Sequence, residues 1–341
     1  MELGLYTFGD LTADPHTGSA PSVAQRYAEI LAAARLADDA GLDVFGIGEH
    51  HRLDIPISSP AVVMAAIAAA TRRIRLTSAV TVLSTLDPVR VLQDFATVDQ
   101  LSGGRAEIIA GRGAFVESFP LFGHDLADYD ALFVEKLALL LELNRSARVT
   151  WQGRFRPPLH DAEIAPRPVG ALPIWLGVGG NPESALRAGE FGLPLVLANI
   201  SQPPANFAGQ IAAYRERHAS QGHGASAPRV ALATHAYVAE DSQTALAEFY
   251  PYYSAYFGGH APRADLVRAV PREVYEQRAA PTGPIFVGSP QQIIDKLMYE
   301  RELFGHDRFL AQVDIGGLPY AKVARSIELL ARHVLPAVRA I

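Results

Sequence analysis

Short apolar runs alternate with longer amphipathic stretches along the whole chain, and this rhythm constrains the fold more than any other property. The runs at 3–8, 43–48, 72–84, 105–110, 173–178, 193–199, 229–238 and 309–315 are apolar or small on both faces. That is the pattern of parallel strands covered on two sides. Between them, apolar residues recur at helical spacing, as with Tyr27, Ile30, Leu31, Ala34 and Ala37, or Leu132, Phe133, Leu137, Leu140 and Leu141. Asp87-Pro88, Asn181-Pro182, Ser289-Pro290 and Ser59-Pro60 each have the form of a helix cap followed by proline at the first helical position. A further run at 284–287 belongs to an insertion if the strand count is to close at eight. The chain is therefore expected to be an α/β protein, a (β/α)8 TIM barrel with insertions. It reads as one domain over 1–341, with insertions at about 144–170 and 258–284.

Composition narrows the function. A formal charge of −6 gives no electrostatic footprint for nucleic acid. The absence of cysteine excludes disulfides, thiolate metal sites and a cysteine nucleophile. Apolar runs such as 61–70 fall short of a membrane span, and no basic segment followed by an apolar one opens the chain. A cytoplasmic enzyme is expected.

Three stretches carry candidate chemistry. The second strand runs out into Glu49-His50-His51, at the carboxyl end, where barrel enzymes hold their reactive groups. A metal is the main rival there, drawing on His124, Asp125 or His16. Adjacent histidines on extended backbone point in different directions, so no metal is expected. The fifth strand empties into Gly177-Val178-Gly179-Gly180-Asn181-Pro182-Glu183-Ser184. Glycines admit a ligand close to the backbone, and the first N–H groups of a helix hold phosphate; the alternative is a simple helix cap. Arg112, framed by Gly111 and Gly113, suits a phosphate or the electron-rich edge of a flavin. Ser78-Ala79-Val80 offers small residues against which a flat ring could pack, or ordinary tight core. The aromatic series Phe249, Tyr250, Tyr252, Tyr253, Tyr256 and Phe257 reads as a pocket wall, a dimer face or core. No Gly-x-Ser-x-Gly elbow is present for a serine nucleophile.

Gly48-Glu49-His50-His51, Ser78-Ala79-Val80 with Leu86-Asp87-Pro88-Val89-Arg90, Asp99-Gln100-Leu101-Ser102-Gly103-Gly104-Arg105, Gly111-Arg112-Gly113, and Asn181-Pro182-Glu183-Ser184 followed by Gly192-Leu193-Pro194 occur in that order. In this the chain resembles the bacterial luciferase-like, flavin-dependent monooxygenases and oxidoreductases, from residue 3 to about 338. The resemblance implies a TIM barrel with flavin at the carboxyl face of the strands. It makes His50 the catalytic residue supporting the reaction of reduced flavin with oxygen, with Glu49 and His51 as its support. It puts Arg112, Gly179, Gly180, Asn181 and Ser184 at the phosphate, and Ser78, Ala79 and Val80 at the ring, with a non-proline cis peptide in that stretch. Gly111 stands where luciferase subunits carry a cysteine that contacts the flavin, which implies oxygenation or reduction without light. The implied cofactor is reduced FMN, with the deazaflavin F420 of another branch as alternative. The implied partners are O2, a small organic substrate, a separate flavin reductase and a second copy in a homodimer. A non-catalytic flavin-binding subunit is the remaining alternative.

Overall fold

The computed structural model describes residues 1–223, 228–259 and 269–340. In chain order the elements are β1 (Glu2–Thr7), α1 (Val23–Asp39), β2 (Val44–Ile47), α2 (Pro60–Ala70), β3 (Arg75–Ser78), β4 (Thr81–Val82), α3 (Pro88–Ser102) and β5 (Ala106–Gly111). There follow α4 (Ser118–Leu121), α5 (Tyr129–Arg145), β6 (Arg148–Trp151), β7 (Leu159–Glu163), β8 (Ile174–Val178), α6 (Pro182–Glu190), β9 (Leu195–Ala198) and α7 (Ala208–Ser220). The last are β10 (Val230–Val238), α8 (Ser242–Gly259), α9 (Arg272–Ala279), β11 (Phe286–Gly288), α10 (Pro290–Phe304), β12 (Arg308–Gln312), α11 (Tyr320–Leu329) and α12 (Leu335–Arg339).

Parallel pairing runs β12–β1–β2–β3–β5–β8–β9–β10 and returns from β10 to β12, closing an eight-stranded barrel. The expected fold is therefore the observed one. β11 pairs with Ala236–Val238 at the end of β10, outside the ring, so the run at 284–287 is the extra strand that the count of eight requires. The expected strand over 72–84 is two short strands, β3 and β4, and the peptide between Ala79 and Val80, which lies between them, is cis. Within 144–170, β6 and β7 form an antiparallel hairpin. Of the segment at 258–284, α9 is seen, whereas residues 260–268 lie outside the described residues. Asp87 and Asn181 cap their helices through their carboxylate and amide oxygens; Ser59 makes no such side-chain bond.

Alternation along the strands sends Val44, Ile109, Trp175, Val196, Ala231 and Leu310 into the barrel, where they form a core of their own. At the amino ends of the strands this core meets buried charge. Arg308, with no exposed surface, donates to both carboxylate oxygens of Glu107 at 2.6 and 3.1 Å and to Glu2 at 2.7 Å. Its guanidinium lies 4.5 Å from the Trp175 ring centre. Fully paired, these charges tolerate burial. They fill the amino end of the barrel and leave the carboxyl end for a ligand. The aromatic series of α8 proves to be core: Phe249 and Tyr253 are fully buried, and Tyr252 and Tyr256 nearly so.

Candidate active site

At the carboxyl end lies a cavity of about 370 Å³ whose lining includes Tyr6, Phe8, His50, Val80, Arg112 and Phe115. Residues from β1, β2, β5, β8 and the loops that follow them meet there, so side chains far apart in sequence share one space.

His50 is held by its own backbone and by two rings. Its N–H donates to the Ile57 carbonyl at 2.8 Å. Phe8 and Phe115 stand edge-on to the imidazole, with ring centres at 4.8 and 5.1 Å. Only 9% of His50 is exposed. Glu49 also borders the cavity, and both of its oxygens are engaged: one accepts from the Val82 N–H at 2.9 Å, the other lies 3.0 Å from His51 Nε2. His51 in turn meets Phe122 edge-on. Glu49 therefore ties β2 to β4, just beyond the cis peptide, and orients the neighbouring imidazole.

Val80 rises into the floor of the cavity between two glycines. A Cβ on Gly111 would come within 2.5 Å of Val80 Cγ2, and one on Gly177 within 2.8 Å of Val80 Cγ1. No residue but glycine fits at 111 while Val80 keeps this position, so the residue that differs from the luciferase pattern has a steric cause. Ala79 and Val80 line the cavity. Ser78 does not: its buried hydroxyl bridges β3 to β5, donating to the Ile109 carbonyl at 3.2 Å and accepting from the Ile109 N–H at 3.0 Å.

Across the cavity, Arg112 and Ser184 are brought together. Arg112 Nη2 donates to Ser184 Oγ at 2.6 Å, and Nη1 pairs with Asp130 at 2.6 Å. The guanidinium lies 5.0 Å from the Tyr129 ring centre, and the Tyr129 hydroxyl donates to the Gly113 carbonyl at 2.7 Å. Asn181 caps α6 by accepting from the Glu183 N–H at 3.0 Å, and Glu183 itself faces solvent. Gly179 and Gly180 have no protein atom within 4 Å of where a Cβ would stand. Arg187, one turn along α6 from Ser184, reaches Asp130 at 3.5 Å through Nη2, while its buried Nη1 has no partner. An open backbone at a helix start, the Ser184 hydroxyl and the Arg112 guanidinium, with Arg187 behind them outside the cavity lining, are a donor set that could cradle a phosphate. The largely apolar cavity that Arg112 and Ser184 line also includes His50. The donor set fits a phosphorylated flavin.

A family description, luciferase-like monooxygenase, matches residues 1–307 of the chain. The chain belongs to that family. As a member of it, the chain is a flavin-using enzyme, and its barrel is the fold of the family. It is 26% identical to the oxygenase component of the flavin-dependent trigonelline monooxygenase of Acinetobacter baylyi, over 99% of this chain and 95% of that one. Among solved structures, a monooxygenase from Streptomyces bottropensis superposes with a TM-score of 0.84 at 24% identity, covering 99% of this chain and 100% of the other. The oxygenating constituent of 3,6-diketocamphane monooxygenase from Pseudomonas putida, in complex with FMN, gives 0.79 at 20% identity, covering 98% of each chain.

The histidines offered to a metal do not converge on His50. His124 Nε2 lies 3.1 Å from Lys136 Nζ, and His16 packs edge-on against Tyr252. Among the described residues no three His, Asp or Glu side chains gather in a way that could hold a metal ion. Among those residues, too, no helix is long and apolar enough to cross a membrane. Sequence reasoning missed Phe8, Phe115, Tyr129, Asp130 and Arg187. Arg187 was within reach of it, because the i,i+3 spacing from Ser184 places both on one face of α6.

Proposed function

We propose that this enzyme uses reduced FMN and O2 to oxygenate a small organic substrate, without light emission. The carrying observation is that Arg112, Ser184 and His50 line one largely apolar cavity, with Arg112 and Ser184 hydrogen-bonded to each other. Arg112, Ser184 and the N–H groups at the start of α6 would hold the phosphate. Ala79, Val80 and Gly111 would form the surface beneath the ring. Bound reduced flavin supplies the two electrons with which one atom of O2 enters the substrate and the other leaves as water. His50 holds and delivers a proton at its imidazole nitrogen beside that chemistry. Phe8 and Phe115, packed on the imidazole, keep water from it.

FMN is favoured over F420 by the FMN complex of the structurally similar oxygenating constituent. A separate reductase as source of reduced flavin is supported by the Acinetobacter relative, itself described as an oxygenase component. The test supplies chemically pre-reduced FMN in air with a panel of organic substrates and measures the oxygenated product. Oxygenation with FMN, and none with reduced F420, is the expected result. Hydride transfer from F420 without oxygenation would overturn it.

A further inference from the structure

The cradle contains a group of the wrong sign. Asp130, in the first turn of α5, extends a carboxylate to both arginines: Arg112 Nη1 at 2.6 Å and Arg187 Nη2 at 3.5 Å, through the same oxygen Oδ1. The two guanidiniums are mostly buried, with 17% and 15% of their side chains exposed, whereas the Asp130 side chain is 63% exposed. The cations are therefore mostly buried, and the anion meets them from the solvent side. Two guanidiniums carry two positive charges, and a phosphate monoester at neutral pH carries about 1.5 to 2 negative ones. The phosphate alone balances the arginines. With Asp130 still in place the site is left negative.

Resting on the reading of this cradle as the site of the flavin phosphate, we propose that Asp130 is an internal competitor for that phosphate. Its carboxylate holds Arg112 and Arg187 in position while the cradle is empty and is displaced when the phosphate enters. The consequence is a deliberately weakened hold on the cofactor. That is what an enzyme needs if its flavin arrives reduced from another protein and departs oxidised: the arginines stay ordered between occupancies, and the flavin exchanges. Arg112 would otherwise be buried with one arm unpaired.

The experiment titrates the full chain with oxidised FMN and with riboflavin, following flavin fluorescence, for the natural protein, Asp130→Asn and Asp130→Ser. Removing the competing charge is expected to tighten FMN on the order of tenfold, as charge-assisted pairs at partly buried sites allow. Riboflavin, which lacks the phosphate, should change less than about twofold. Inorganic phosphate, used as competitor, should also bind more tightly to both variants, its competition constant falling by a factor similar to that of FMN. FMN affinity unchanged or lowered in both variants overturns the proposal, as does equal tightening of FMN and riboflavin. If the natural protein binds riboflavin as tightly as FMN, the phosphate cradle itself is overturned, and the competitor role with it.

Discussion

The Glu49 carboxylate accepts a hydrogen bond from the Val82 N–H at 2.9 Å, joining the strand that ends in His50 to the residues that follow the Ala79–Val80 peptide. Two walls of the cavity are thereby held at one distance. Glu49→Ala leaves the Val82 N–H buried without a partner, at a cost of about 1–3 kcal/mol. It also frees His51. Lowered thermal stability together with at least tenfold weaker FMN binding is expected. Glu49→Gln keeps an acceptor oxygen and should restore most of the stability. Full FMN affinity in the Ala variant would show that this tie does not shape the site.

Gly111 and Val80 form a second coupled pair. Gly111→Ala puts a methyl group within 2.5 Å of Val80 Cγ2, and overpacking of this kind costs about 1–3 kcal/mol. Val80→Ala removes both Cγ atoms, the nearer of them the closest contact, and leaves its Cβ at 2.9 Å. A double-mutant cycle read by chemical denaturation should show the two changes compensating, with a coupling energy of at least about 1 kcal/mol. Additive effects would mean that Val80 is not what excludes a side chain at 111.

His50 is the third case, and here binding and chemistry should separate. Its imidazole packs against Phe8 and Phe115 in the cavity that Arg112 and Ser184 also line. His50→Ala is expected to lower oxygenation about 10²-fold or more while FMN affinity changes only a few-fold. Product yield with pre-reduced FMN and a parallel fluorescence titration measure the two. Equal losses in both would recast His50 as a binding residue.

Most of this architecture was legible in the sequence because it rests on local signals. Apolar runs, cap-and-proline pairs and helical spacing together counted eight units, and Glu49-His50-His51 stood out as titratable groups on an apolar strand. The motif from Asp99 to Arg105 turned out to be structural: Asp99 accepts from the Ala106 and Val169 N–H groups, and Arg105 donates to the carbonyls of Ala68, Thr71 and Ile74. What could not be read were relations set by barrel closure. Nothing local distinguishes Asp130 from any acidic residue opening a helix, or Phe115 from an ordinary loop aromatic. Ser78 looked like a residue beneath the ring, yet its hydroxyl serves the strand beside it, because which face a residue takes depends on register and on the break at Val80.

Acid should destabilise the protein through two buried histidines. His235 and His306 are 1% exposed, and the His235 ring has no partner for either nitrogen. Burial, with a smaller contribution from Arg278, pushes His235 down to about 3. Burial likewise pushes His306 down to about 3, against a partial opposing effect of its backbone bond to Glu300. Between about 6.5 and 3 the unfolded chain therefore binds protons that the folded chain refuses. Stability is complete above about 6.5 and falls as pH drops, by about 1.4 kcal/mol per unit for each histidine. At pH 5 that is on the order of 2 kcal/mol each. Urea denaturation at pH 7 and pH 5 measures the slope, and His306→Leu, which cannot titrate, should remove about half of it. A slope unchanged in that variant would mean that His306 is protonated in the folded protein.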